Sequence, residues 1–185
     1  MKKDSLSKKI LLAIGEGLKD LLRAGFEIIF DYPSIVRGFS LYQNDSLNPL
    51  LISKGIMNLK RYGYLREKRV KNKKKLYLTS KGRIEIIKNI LRQKREKKLK
   101  WDGKWRAIIF DIPEASRRDR DFLRRELCWI GFKELQKSVW VYPYEIKKEL
   151  IVLLKLWKIK FAGDIRFLTI EKMDDKDLRR YFNLK

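Results

Sequence analysis

The chain has 185 residues, 44% of them hydrophobic and 37% charged, with a net charge of +23. That hydrophobic share excludes global disorder and suits one ordinary domain or two small ones. With no histidine and one cysteine, Cys128, the chain has no intramolecular disulfide, no cysteine-based zinc site and no imidazole chemistry. Any catalysis would use carboxylates, lysine or tyrosine with a hard metal ion.

The charge is uneven. Residues 1–100 hold 26 Lys and Arg against 9 Asp and Glu, and residues 101–185 hold 20 against 14. A basic excess gathered in one half points to a polyanionic partner, nucleic acid first and an anionic membrane surface second. The opening "MKKDSLSKKILLAIG" has a basic start and a short apolar run. Glu16, Lys19 and Asp20 then interrupt it, unlike a secretory signal. No apolar stretch approaches the length of a bilayer span. A soluble, cytoplasmic protein with no membrane partner is expected.

In chain order, Ile10, Leu11, Ile14, Leu18, Leu21 and Leu22 recur at helical spacing and predict a helix over residues 5–23, ending before Gly25. "DYPSIVRGFSLYQ" predicts a second helix, with Pro33 in its first turn. "SLNPLLISKGIMNLKRYGYL" predicts a third, with Pro49 near its start, Gly63 after its last turn, and Ile52, Ile56 and Leu59 inward. Two strand-like runs follow, 64–70 and 75–79, around the basic turn Lys71-Asn72-Lys73-Lys74. Asn72 there suits a position that needs φ > 0.

A helix with a polar, basic outer face followed at once by a basic hairpin has the order of a winged helix-turn-helix. Such a helix enters the major groove and reads base edges, while the hairpin lays ammonium groups along the backbone. By side-chain type, Asn58 and Arg61 are the candidate base readers, with Ser53 and Lys54 able to touch bases or phosphates. Lys71, Lys73, Lys74 and Lys75 are the candidate phosphate contacts. Ser80 reads as the N-cap of the next helix, whose charged end, residues 94–100, reads as a tail or linker running to Trp101-Asp102-Gly103.

Beyond it, "WRAIIFDI" is a buried-strand run. Ser116 with Asp119 resembles a capping box, Phe122, Leu123, Leu127 and Ile130 form a buried stripe that places Cys128 as a buried thiol, and Gly131 closes the helix. "FKELQKSVWVYPY" reads as extended chain, which gives two strands if it breaks near residues 136–138. "EIKKELIVLLKLWKI" reads as a helix, "DIRFLTIEKM" as a strand and "DDKDLRRYF" as a short helix. The order β-α-β-β-α-β is the ferredoxin-like split unit, an antiparallel sheet with one face covered by helices and the other open to a partner. Trp101 and Trp105 are expected to tie the two domains together. The aromatic alternation of Trp140 and Tyr142 reads as a core or dimer face.

The segment "WRAIIFDIPEASRRDRDFLRRELCWIGFKELQKSVWVYP" resembles the central domain of the PaaX family, the phenylacetate-degradation transcriptional repressors. That domain in turn resembles the small ferredoxin-fold endonuclease of CRISPR adaptation complexes. The basic N-terminal half is similar to the family's winged-helix domain. Family repressors continue into a further C-terminal domain, whereas this chain stops soon after its last strand, so no small-molecule effector is expected. In the CRISPR-associated relatives the aspartate matching Asp111 is implicated in metal-dependent phosphodiester cleavage, with copies from two subunits facing each other. From the residues alone, Asp111 can instead cap the turn before Pro113 or pair with Arg117, Arg118 or Arg120.

The expected protein is therefore of the α+β class. Residues 1–98 form a winged helix-turn-helix DNA-binding domain with a helical linker, and residues 99–185 a ferredoxin-like dimerisation domain. It is a homodimeric, sequence-specific regulator of double-stranded DNA acting on a palindromic operator, with repression implied by the resemblance. No cofactor and no catalytic or metal-ligating residue belong to this reading. The alternative is a metal-dependent nuclease or CRISPR adaptation-type subunit that uses Asp111 with Mg or Mn. A third reading is a nonspecific architectural or RNA-binding protein.

Overall fold

The computed structural model describes residues 5–16, 29–30, 49–96, 100–157 and 164–184. It divides into two compact units, Met1–Ile90 and Leu91–Lys185. Among the described residues no helix is long and apolar enough to cross a membrane.

The first unit contains α1 (Leu6–Glu16), β1 (Ile29–Phe30), α2 (Pro49–Arg61), β2 (Leu65–Val70) and β3 (Lys73–Leu78), followed by α3 (Ser80–Glu96), inside which the boundary falls. The helix expected over "DYPSIVRGFSLYQ" and the end of the first helix lie outside the described residues. Ile10, Leu11 and Ile14 of α1, Ile52, Ile56 and Leu59 of α2, Leu65, Leu76 and Leu78 of the hairpin and Ile86 of α3 form one core. The helices α1 and α2 approach closely because position 55 is glycine: a Cβ there would stand 2.4 Å from Ile10 Cδ1. The strands pair antiparallel in the order β1-β3-β2. Strand β1 was not anticipated, since two residues are too short for a periodic signal.

The junction from α2 into the hairpin is held by backbone geometry. Gly63 sits at φ 74°. Its N–H donates to the Lys60 carbonyl (3.0 Å) and the Tyr64 N–H to the Leu59 carbonyl (2.9 Å), the paired bonds of a Schellman stop. Thr79 then ties the far end of the hairpin to the same place. Its hydroxyl donates to the Gly63 carbonyl (2.7 Å) and accepts from the Gly82 N–H (3.1 Å). Thr79, not Ser80, is thus the N-cap of α3. Both residue types suit a cap, and the Gly63 carbonyl decides between them.

The second unit contains β4 (Trp105–Asp111), a 3-10 turn (Glu114–Ser116), α4 (Arg117–Ile130), β5 (Lys133–Gln136), β6 (Val139–Tyr142), α5 (Lys147–Trp157), β7 (Asp164–Ile170) and α6 (Lys176–Phe182). All strand pairings are antiparallel, in the order β5-β6-β4-β7. With the β-α-β-β-α-β succession, that is the ferredoxin-like topology, plus the terminal α6. The break expected near residues 136–138 is the turn at Lys137 and Ser138.

Two local expectations are corrected. Ser116 makes no side-chain cap bond, because the 3-10 turn already leads the chain into α4. Cys128 is exposed, because it lies a helical step away from the buried Leu123, Leu127 and Ile130. For Trp101 and Trp105 the described ring contacts are with each other and with α6 of the second unit. Trp105 Nε1 donates to Asp175 Oδ2 (2.9 Å), and its ring lies 5.1 Å from Trp101 and 5.7 Å from Phe182 of α6. Trp140 and Tyr142 are both buried core residues.

Replacing Thr79 by valine removes the cap and the hairpin tie together. A loss of roughly 1–2 kcal/mol is expected in denaturant unfolding, and an unchanged midpoint would contradict the assignment. In the second unit, two Arg106 nitrogens each lie 2.6 Å from an Asp102 oxygen. They hold the Asp102 carboxyl at about 2, below its usual 3.8. A lowered carboxylate pKa stabilises the fold above the usual value, and that stability is lost as pH falls through the lower one. Asp102→Asn is expected to flatten the acid-side decline between pH 3.8 and about 2, as followed by tryptophan fluorescence.

Candidate nucleic-acid interface

The interface residues are positioned by two elements. On α2 the buried Ile52, Ile56 and Leu59 turn the opposite side of the helix outward. Lys54 and Arg61 are exposed, whereas Ser53 and Asn58 are half-buried at the flanks of that side. The Arg61 guanidinium lies 4.9 Å from the centre of the Tyr62 ring and donates to the Tyr62 hydroxyl (3.1 Å). That contact holds its long side chain at the helix end.

The hairpin is tighter than the sequence implied. Val70 pairs directly with Lys73, leaving a two-residue turn of Lys71 and Asn72. Both have positive φ, 48° and 59°, the signature of a type I′ turn whose twist matches the strands. Asn72 meets this requirement as expected, and Lys71 shares it. Lys73 and Lys74 consequently lie in β3 with Lys75, rather than in the turn.

This register sets cations against one another. Lys68 stands opposite Lys75, and Arg69 opposite Lys74. The segment 65–78 carries seven Lys and Arg with Glu67 as its one acid. Like charges directly opposite in an antiparallel pair are destabilising. Glu67 relieves part of this: Lys60 Nζ of α2 donates to it at 2.6 Å and Lys74 Nζ lies 3.7 Å away. The hydrogen-bonded Lys60 ammonium holds the Glu67 carboxyl below the usual carboxylate range, with Lys74 adding to the effect. One carboxylate therefore links the outer helix face to the hairpin. Arg66 and Arg69 also belong to the basic ribbon. In the sequence alone the lysines of the turn are the stronger signal, and neither arginine stands out.

Asp111, at the end of β4, is exposed. The arginine pairing expected for it is not found. Arg120 pairs with Glu114 (2.7 Å), Arg117 with Asp121 (3.8 Å), and Arg124 with the Lys137 carbonyl (2.7 Å). Nothing caps or neutralises the Asp111 carboxylate among the described residues. Its cross-strand partner is a second carboxylate, Asp164, which Arg166 Nε holds at 2.6 Å. Among the described residues no three His, Cys, Asp or Glu gather where they could hold a metal ion. Two carboxylates, one of them claimed by arginine, are a thin match to the oxygen-rich shell of Mg or Mn.

Residues 98–180 match the family model for the PaaX protein central Cas2-like domain. No curated protein matches the chain. The matched residues lie within the unit that carries the ferredoxin-like topology.

If the opposed cations repel in the free protein, Lys75→Glu should stabilise it by several tenths of a kcal/mol. The same change should lower the salt concentration at which the protein leaves a heparin column. A destabilised variant with unchanged elution would contradict this account of the hairpin.

Proposed function

We propose that this chain is a sequence-specific, DNA-binding transcriptional regulator of the PaaX type. The observation that carries the proposal is the pair of opposed like-charge positions, Lys68 with Lys75 and Arg69 with Lys74, in a hairpin of fixed register. A fold keeps such repulsion when a polyanion relieves it on binding.

The element order supports the winged helix-turn-helix reading. A short strand (β1) pairs with the far strand of a hairpin, and a helix with a buried inner face (α2) precedes that hairpin. On this reading α2 is the recognition helix, with Asn58 and Arg61 as base readers and Ser53 and Lys54 beside them. The ribbon at Lys71, Lys73, Lys74 and Lys75 is the wing.

The second unit serves as the dimerisation module. Ile109, Val139 and Leu168 share the sheet face opposite the helices α4 and α5, and Leu168 is 43% exposed. A second copy covering this patch would pair two readers about a two-fold axis. The operator is then palindromic, with half-sites separated by whole helical turns. Repression is taken from the family.

One observation favours a second reading, divalent-metal nuclease activity: Asp111 is exposed at a strand end and has no ion-pair partner among the described residues. A DNase footprint on the protein's own upstream DNA, in magnesium buffer with a lane lacking DNase, separates the two. A bounded, symmetric protected window with an intact no-DNase lane is expected. New cuts in that lane that vanish with Asp111→Ala would make Asp111 catalytic and overturn the regulator reading as a full account. In binding assays, Asn58→Ala and Arg61→Ala are expected to relax sequence preference. Lys73→Ala should weaken all duplexes alike and flatten the salt slope by about one. Equal losses on cognate and random DNA for all three would sink the recognition-helix assignment.

A further inference from the structure

The most outward stripe of α2 is not uniformly polar. At 100° per residue, Leu50, Lys54, Met57 and Arg61 fall within a narrow arc, directly opposite the buried Ile52, Ile56 and Leu59. The stripe alternates apolar, basic, apolar, basic. Leu50 is 76% exposed and Met57 62%, and Lys54 and Arg61 are exposed beside them. Large apolar side chains lined up with cations on the crest of a helix fit a partner that is polyanionic and yet presents apolar groups at helical spacing. The major groove has one such group, the C5-methyl of thymine.

We infer that Leu50 and Met57 are specificity-determining residues that contact thymine methyl groups, so that each half-site carries thymines at the positions they face. This inference rests on α2 being the recognition helix. Lys54 and Arg61, between and beyond them, supply the phosphate and guanine-edge contacts that hold the apolar side chains over the bases. Leu50, near the N-terminal end of α2, is at the end that enters the groove most deeply in helix-turn-helix proteins. A protein partner with an apolar groove is disfavoured by the alternating cations, which such a groove would have to desolvate.

The test uses the full-length protein and a duplex selected by it from a random library. Thymines in the selected site are replaced one at a time by deoxyuridine, which keeps base pairing and removes only the methyl. The expected result is a loss of roughly threefold to fivefold in affinity at particular positions, the worth of one buried methyl-sized group. At one of those positions Met57→Ala should bind thymine and deoxyuridine alike, and Leu50→Ala should do so at another. If a motif is selected but every deoxyuridine duplex binds within twofold of the parent, the methyl contacts are overturned while the DNA-binding reading stands. If no motif is selected, both are overturned. Because deoxyuridine alters the DNA and not the protein, its effect is independent of variant folding.

Discussion

Electrostatic repulsion within the hairpin is the constraint around which the first unit is organised. Two strands that place Lys68 against Lys75 and Arg69 against Lys74 gain no attraction from those two facing pairs. They are held from below. Leu65, Leu76 and Leu78 anchor the hairpin base in the core. The Schellman stop at Gly63 fixes where β2 begins, and Thr79 joins the end of β3 to the Gly63 carbonyl and to the start of α3. Glu67 then fastens the middle of the ribbon to Lys60 of α2. The apolar base and hydrogen bonds offset the repulsion, so the cations stay crowded at the tip, where solvent and salt screen them only in part.

The same clamps couple the two halves of the proposed DNA surface. The last turn of α2, the Gly63 stop and the hairpin share one set of bonds, so the outer face of α2 and the basic ribbon keep one spacing. The second unit works by different means. Its sheet is buried by α4 and α5 on one face and in part by α6 on the other, through Leu178 and Phe182. What remains open there is a small apolar area near Leu168. The proposed division of labour rests on the chemistry of the surfaces: the basic unit suits a polyanion and the open apolar area of the less basic unit suits a second copy.

Much of this was legible in the sequence, and the rest was missed for physical reasons. The third helix, the two-strand break at residues 136–138 and the ferredoxin-like order all follow from hydrophobic period and turn residues. Asn72 announced a left-handed turn, but Lys71 shares it, and lysine carries no such signal. Thr79 and Ser80 are equally good caps, and only the distant Gly63 carbonyl separates them. Cys128 was misplaced because its neighbour Leu127 is buried. The packing of Trp105 was not legible because its partners, Asp175 and Phe182, lie some seventy residues away. In the candidate site, the lysines are plain in the sequence, whereas the like-charge register, the Glu67 link and the outward turn of Leu50 and Met57 appear only with the fold.

The most direct check of the central claim, that α2 and the hairpin together form the DNA-reading surface, is a backbone amide NMR titration of the protein with its footprinted duplex. The account predicts shifts concentrated on Leu50, Lys54, Met57, Asn58 and Arg61 of α2 and on residues 66–75 of the hairpin, with Asp111 and Asp164 little changed. Shifts centred on Asp111 and Asp164, with α2 and the hairpin unmoved, would contradict it.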